Sequence, residues 1–132
     1  MIEGVTLILT YSCTNQCRHC CYGAVPNINT LMKAEEVRDY LEELSKIRLP
    51  EWVCIFGGET LLYPELLFNV IKEAKKFEVP QVSVITNGFW GEDEQLARKY
   101  VTNLKNAGLD QLETVKNVLR VSEDVGMENI EV

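Results

Sequence analysis

The sequence has no excess of basic residues: 13 Lys and Arg stand against 20 Asp and Glu, a formal net charge of −7. A phosphate backbone repels such a field on average, which disfavours general nucleic-acid binding. Neither terminus carries the basic, apolar and small-residue succession of a secretory signal, and no apolar run approaches the ~18 residues of a membrane span. The expectation is a soluble, cytoplasmic protein with no membrane partner. Internal repeats and low-complexity tracts are absent, and with 46% hydrophobic and 25% charged residues the chain is neither disordered nor fibrous. A chain of 132 residues has room for one core. Two separate cores are not expected, because a domain of this size buries only about two thirds of the surface its unfolded chain exposes.

Cysteines spread along the chain, as a disulfide scaffold requires, are also missing. Four of the five, Cys13, Cys17, Cys20 and Cys21, lie in one short stretch. In a reducing compartment, thiols clustered in this way point to metal.

Two residue periods alternate along the chain. Val5, Leu7 and Leu9 repeat at period two with Ile8 between them, the reading of a strand within residues 1–10 buried on both faces. Beyond the cysteine stretch and a Gly, Pro and Asn segment at residues 23–29, Val37, Tyr40, Leu41, Leu44 and Ile47 predict a helix. Thr30 or Asn29 can cap it, and Pro50 prevents its continuation. Residues 52–56 read as a second strand ending in Gly57 and Gly58. Pro64 suits a first helical turn, followed by the stripe Leu67, Val70, Ile71, Ala74 and Phe77. Residues 82–86 read as a third strand ending in Asn87 and Gly88. Glu92, Asp93 and Glu94 sit where a helix dipole favours negative charge, and Leu96, Ala97, Tyr100, Val101 and Leu104 carry a third helix to Gly108. The stripes containing Tyr40, Phe77 and Tyr100 are read as core packing. Trp90 either lines the pocket or covers the barrel end.

The order βαβαβα predicts a parallel sheet joined by right-handed crossovers. Residues 13–20, 57–59 and 86–88 each follow a strand's carboxyl end. In a parallel sheet those ends share one edge, where ligands bind in barrels and open α/β folds alike. After Gly108 the pattern falters: Leu112, Val115, Val118, Leu119 and Val125 look helical where a fourth strand is due, leaving no room for a full one. Residues 127–132 can start one further strand. The expectation is a single domain over residues 1–132, incomplete after its third βα unit, with the fourth strand and C-terminal units missing.

Cys13, Cys17 and Cys20 have the spacing C-x3-C-x2-C. Three thiolates on one loop can hold three irons of a [4Fe–4S] cluster and leave the fourth open, whereas an electron-transfer cluster normally takes four cysteines. The open position argues for catalysis, as it does at zinc. The segment from Cys13 to Cys20, Gly57-Gly58-Glu59 and Thr86-Asn87-Gly88, each at a strand end, together resemble the radical S-adenosylmethionine (radical SAM) superfamily over residues 5–108.

The resemblance implies a partial (β/α) TIM-like barrel of parallel strands and an enzyme whose [4Fe–4S] cluster cleaves SAM reductively. The resulting 5′-deoxyadenosyl radical abstracts hydrogen from a substrate, with an external electron donor of flavodoxin or ferredoxin type. Cys13, Cys17 and Cys20 would be the ligands. His19 matches a position lining the adenine pocket, and Gly57, Gly58 and Glu59 match the segment that engages the SAM amino group. Thr86 and Asn87 lie beside the pocket. Thr60 stands where many relatives have proline. Polar residues that reach the SAM ribose from a fourth strand have no visible counterpart at Leu112 and Glu113.

Other readings stay open. The thiols can form a structural zinc site with His19 or Cys21 as fourth ligand, although adjacent residues seldom reach one tetrahedral ion. A non-catalytic iron–sulfur or zinc module on a half-barrel scaffold, or an electron carrier with Cys54 as fourth ligand, are the alternatives from other classes. Cys54, between Val53 and Ile55, otherwise reads as a small core hydrophobe.

Overall fold

The computed structural model describes residues 3–114, 126–127 and 130–131. Among them run five strands, β1 (Gly4–Ile8), β2 (Trp52–Phe56), β3 (Gln81–Thr86), β4 (Gln111–Thr114) and β5 (Ile130–Glu131). Three helices alternate with them, α1 (Ala34–Ser45), α2 (Pro64–Lys76) and α3 (Glu94–Ala107). Single 3₁₀ turns at Thr60–Leu62 and Phe89–Glu92 precede α2 and α3.

All four strand pairings are parallel, and the spatial order is the chain order, β1-β2-β3-β4-β5. A sequential order with crossovers of one hand sends every helix to the same face, whereas a doubly wound sheet reverses its order and covers both. Burial follows this division. Val53, Ile55, Val82, Val84 and Leu112 have no exposed surface and join the core with Val37, Leu41, Leu67 and Ile71. On the opposite face Thr6 is exposed, while Ile8, Cys54, Ser83, Ile85, Gln111 and Glu113 are partly exposed. The architecture is part of a (β/α) barrel with its helical layer outside. It corrects the expectation that β1 is buried on both faces: Leu7 is buried, but Thr6 and Ile8 face the side without helices.

The helices follow their apolar stripes with two corrections. Thr30 does not cap α1, because its Oγ1 accepts from Tyr11 N (3.0 Å) and its carbonyl accepts from Thr10 Oγ1 (2.6 Å). That hydroxyl is spent on extending β1, and the helix starts later, where Glu36 Oε2 accepts from Lys33 N (2.8 Å). Tyr40 is not core: it is 51% exposed, and Ile47, beyond the helix, is 81% exposed. Only Val37 and Leu41 of α1 are buried, a narrow stripe suited to a helix at the side of its layer. Pro64 opens α2 as its spacing predicts, and Asp93 Oδ1 caps α3 by accepting from Leu96 N (3.0 Å). Gly108 ends α3 with φ +100°, a left-handed conformation that glycine adopts without steric cost.

The larger correction is a fourth strand. β4 pairs with β3 in the register Ser83↔Gln111 to Thr86↔Thr114, and β5 pairs with β4 through Leu112↔Ile130. Leu112 is therefore a strand residue; the helical reading of Val115, Val118, Leu119 and Val125 falls outside the described residues. Four residues with one apolar position carry too little period to declare a strand. Docking declares it instead. Asp110 Oδ2 accepts from Lys75 Nζ (2.6 Å) and from Val82 N (2.8 Å), while Asp110 N donates to Val82 O (2.9 Å).

This anchor is testable. Asp110→Ala removes the acceptor of a backbone N–H and of a half-buried ammonium, and the expected loss is about 1–3 kcal/mol in urea unfolding. An unchanged midpoint would show that β4 holds its register without Asp110.

Candidate functional site

Every buried polar residue among those described lies at or beyond a strand's carboxyl end: Thr10 and Ser12 after β1, Glu59 and Thr60 after β2, Thr86 closing β3 and Thr114 closing β4. Buried polar groups are costly unless paired, so their confinement to one edge marks where the fold departs from simple packing.

The cysteine loop is closed at its base. Ser12 bridges Val25 in parallel, Cys13 N donates to Val25 O (3.4 Å) and Val25 N donates to Tyr11 O (3.3 Å). Inside the loop Cys20 N donates to Cys17 O (3.2 Å) and Gly23 N to Cys20 O (3.4 Å), so successive turns separate the thiols. The Tyr22 ring meets Phe56 edge-on at 4.7 Å and holds the loop against β2. Cys13 is buried, Cys20 partly exposed and Cys17 exposed. The Ala24 and Tyr22 backbone N–H groups directed at Cys20 outweigh a small desolvation and hold its thiol below the usual value. A lowered value favours the thiolate, the form that binds metal.

Gly57 and Gly58 are dictated by the neighbouring backbone. The β1–β2 pairing continues past both strands: Gly58 N donates to Thr10 O (2.7 Å) and Glu59 N to Ser12 O (2.8 Å). A Cβ on Gly57 would lie 2.4 Å from Thr10 O, and one on Gly58 would lie 2.0 Å from Ser12 O. Neither position has room for a side chain.

Glu59 has no exposed surface. Its Oε1 accepts from Leu61 N (3.1 Å) and Thr86 Oγ1 (2.5 Å), and its Oε2 accepts from Asn87 N (2.7 Å). Burial pushes its carboxyl above the usual range, against the opposing pull of these three donors. Thr86 Oγ1 in turn accepts from Trp90 Nε1 (3.1 Å) and Gly88 N (3.2 Å). Trp90, 1% exposed, is thus a buried strut.

These segments enclose a cavity of about 200 Å³ lined by Cys13, Asn15, Cys17, His19, Cys20, Ala24, Phe56, Gly57, Gly58, Ile85, Thr86 and Asn87. It brings together eight of the nine residues singled out from sequence. Glu59 is the ninth and lies among its hydrogen-bond donors instead of on the wall. Phe56 and Ile85 were missed; they are the last residues of β2 and β3 on the face without helices, which the strand period could have located. Cys54, two residues before Phe56, and the exposed Cys21 do not line the cavity. Burial raises the Cys54 thiol, opposed by a hydrogen bond with Ser83 and reinforced by the Glu113 charge. A larger depression of about 790 Å³ runs along α3 beside Asp93, Glu94, Arg98 and Lys99 and carries no comparable chemistry.

Cys13, Cys17 and Cys20 line this one cavity, and because the cysteines of a [4Fe–4S] cluster bind different irons, three thiols on one loop are a donor set that fits such a cluster.

A family model for the radical SAM superfamily matches residues 7–114. The chain belongs to the radical SAM superfamily. YydG of Bacillus subtilis (strain 168), named for peptide biosynthesis, is 28% identical over 104 residues, which cover 79% of this chain and 32% of that protein. A protein of Methanococcus aeolicus named as a GTP 3′,8-cyclase is 32% identical over 116 residues, covering 84% and 36%. The crystal structure of HydG, a maturase of the [FeFe]-hydrogenase, superposes with a TM-score of 0.71 at 15% identity, covering 98% of this chain and 34% of that one. The radical SAM chain thus spans about a third of the length of these relatives. Its superfamily implies SAM and an iron–sulfur cluster as cofactors. No helix among the described residues is long and apolar enough to cross a membrane.

Two substitutions test the edge. Gly58→Ala forces a Cβ into the Ser12 carbonyl and is expected to cost about 1–3 kcal/mol in thermal unfolding. Glu59→Gln places an NH₂ against one of three N–H or O–H donors and is expected to cost a similar amount, about 1–3 kcal/mol. Wild-type stability in Glu59→Gln would show that the carboxylate is not the acceptor these contacts require.

Proposed function

We propose that the chain is the SAM-cleaving core of a radical SAM enzyme. One observation carries the reading: three cysteines of a C-x3-C-x2-C loop, the Gly57-Gly58 edge and the Thr86-Asn87 edge line a single cavity at the carboxyl ends of parallel strands. When bound, a [4Fe–4S] cluster and SAM supply a one-electron cleavage that yields a 5′-deoxyadenosyl radical for hydrogen abstraction from substrate.

The residues divide the work. Cys13, Cys17 and Cys20 would hold three irons, with the Ala24 and Tyr22 N–H groups directed at the Cys20 sulfur. His19, next to Cys20 and on the cavity wall, would face the adenine. The backbone at Gly57 and Gly58 would engage the amino group of SAM. Glu59, whose oxygens are committed to Leu61, Thr86 and Asn87, holds the shape of that edge from behind. Phe56 and Ile85 line the wall with apolar surface that keeps water away from a reactive radical. The electron would come from a small acceptor–donor protein of flavodoxin or ferredoxin type. The relatives' names carry different chemistries, peptide biosynthesis and GTP cyclisation, so the reading attaches to the shared core and to no one substrate.

Anaerobic reconstitution with iron and sulfide, followed by EPR of the reduced protein, tests this. The signal is expected to change when SAM is added. Cys17→Ala is expected to lose the cluster and Cys54→Ala to retain it, as measured by iron content. A cluster indifferent to SAM, or stoichiometric zinc in the purified protein, would overturn the reading in favour of a non-catalytic module.

A further inference from the structure

Asn87 is the residue of the cavity whose hydrogen-bonding groups are most fully assigned. Its backbone N donates to Glu59 Oε2 (2.7 Å), which fixes the chain at the end of β3. Its Oδ1 accepts from Phe89 N (3.0 Å), closing the turn into the 3₁₀ segment. With the oxygen held there, the amide can point only its nitrogen at the cysteine loop, so its orientation is set by the network and not by choice between two flips. Nδ2 donates to Thr14 Oγ1 (2.8 Å) and reaches Cys13 Sγ at 3.9 Å, the long end of the range for sulfur. Cys13 is the buried thiol of the three, and its Sγ also accepts from Asn15 N at 3.4 Å.

We propose that Asn87 is a positioning residue that joins the β3 edge to the cysteine loop and makes the bound cluster easier to reduce through the Nδ2–H donated to the Cys13 sulfur. The inference rests on the cluster reading above and adds a role that cluster binding alone does not require. Reduction adds negative charge that spreads onto the ligand sulfurs. A donor aimed at one of them stabilises the reduced form more than the oxidised form, and hydrogen bonds to sulfur are among the levers that set iron–sulfur potentials. Burial of Cys13 makes the donor count for more, because water competes less for the sulfur. Thr14 Oγ1 accepts from the same Nδ2, so removing that hydroxyl tests placement of the amide separately from its bond to the sulfur.

The test is the midpoint potential of the reconstituted cluster, followed by EPR during a mediated dithionite titration of the full chain. Asn87→Asp keeps the size and the acceptor for Phe89 N, removes the donor and adds charge; Asn87→Ala removes the donor together with the acceptor for Phe89 N and adds no charge. Both potentials are expected to fall below wild type, Asp further than Ala, while Thr14→Val stays at the wild-type value. Wild-type potentials in both Asn87 variants would overturn the proposal. So would a fall in Thr14→Val as large as that in Asn87→Ala, since the effect would then come from loop placement and not from the sulfur bond. Failure of the wild-type chain to assemble a SAM-responsive cluster would strike the cluster reading itself, a result distinct from either of these.

Discussion

A carboxylate with no exposed surface, seated where β2 and β3 end, is the constraint on which the candidate site depends. An unpaired charge in that position would be prohibitive, so the fold surrounds Glu59 with one donor from the turn after β2 and two from the end of β3. The consequences spread outward. The Thr86 hydroxyl, having donated to Glu59, can only accept from its other neighbours, and it takes the N–H groups of Gly88 and Trp90. Trp90 is thereby drawn into the interior, where its ring meets Tyr100 of α3 edge-on at 6.0 Å. Asn87, held by its backbone on the same carboxylate, is left with its amide toward the cysteine loop. One buried acid thus links the shape of a cavity edge to the packing of a helix.

The second governing fact is that the strands lie in chain order. With every crossover turning the same way, the helices share one face, and the strand residues divide into a fully buried row and a half-exposed row. The site occupies the meeting point of these two environments. Apolar Phe56 and Ile85 come from the half-exposed row, while the polar groups come from loops that leave the sheet at one edge. Pairing of β1 with β2 extends beyond the strands to Ser12 and Glu59, which brings the base of the cysteine loop and the Gly57-Gly58 edge within backbone contact. The glycines are required by that contact before any ligand is considered.

Much of this was legible in the residue pattern. Alternating periods placed three strands and three helices, and the position of the cysteine, glycine and asparagine motifs after strand ends predicted that they would meet. Eight of nine candidate residues do line one cavity. The failures share a physical cause. β4 is four residues long, and Leu112 fits a strand or a helix equally well; it is specified by Asp110 reaching Lys75 and Val82, contacts remote in sequence. Tyr40 fits the α1 stripe by spacing yet lies outside the packed layer, because the width of the buried stripe depends on what neighbours the helix. Thr30 is a good capping residue that was diverted to β1, a competition no local window contains.

By itself the sequence determined the order of the first three βα units, the parallel sheet, the C-x3-C-x2-C cysteine triplet and the edge at which the motifs gather, because each follows from local periodicity, from cysteine spacing or from the handedness of crossovers. Only the tertiary structure decided which face of each strand is covered, that a fourth strand joins the sheet, and that Glu59 serves as an internal acceptor behind the cavity wall. Those outcomes turn on desolvation and on partners tens of residues away. A carboxylate reads the same in a sequence whether it faces a ligand or three backbone and hydroxyl donors; its burial is what distinguishes them.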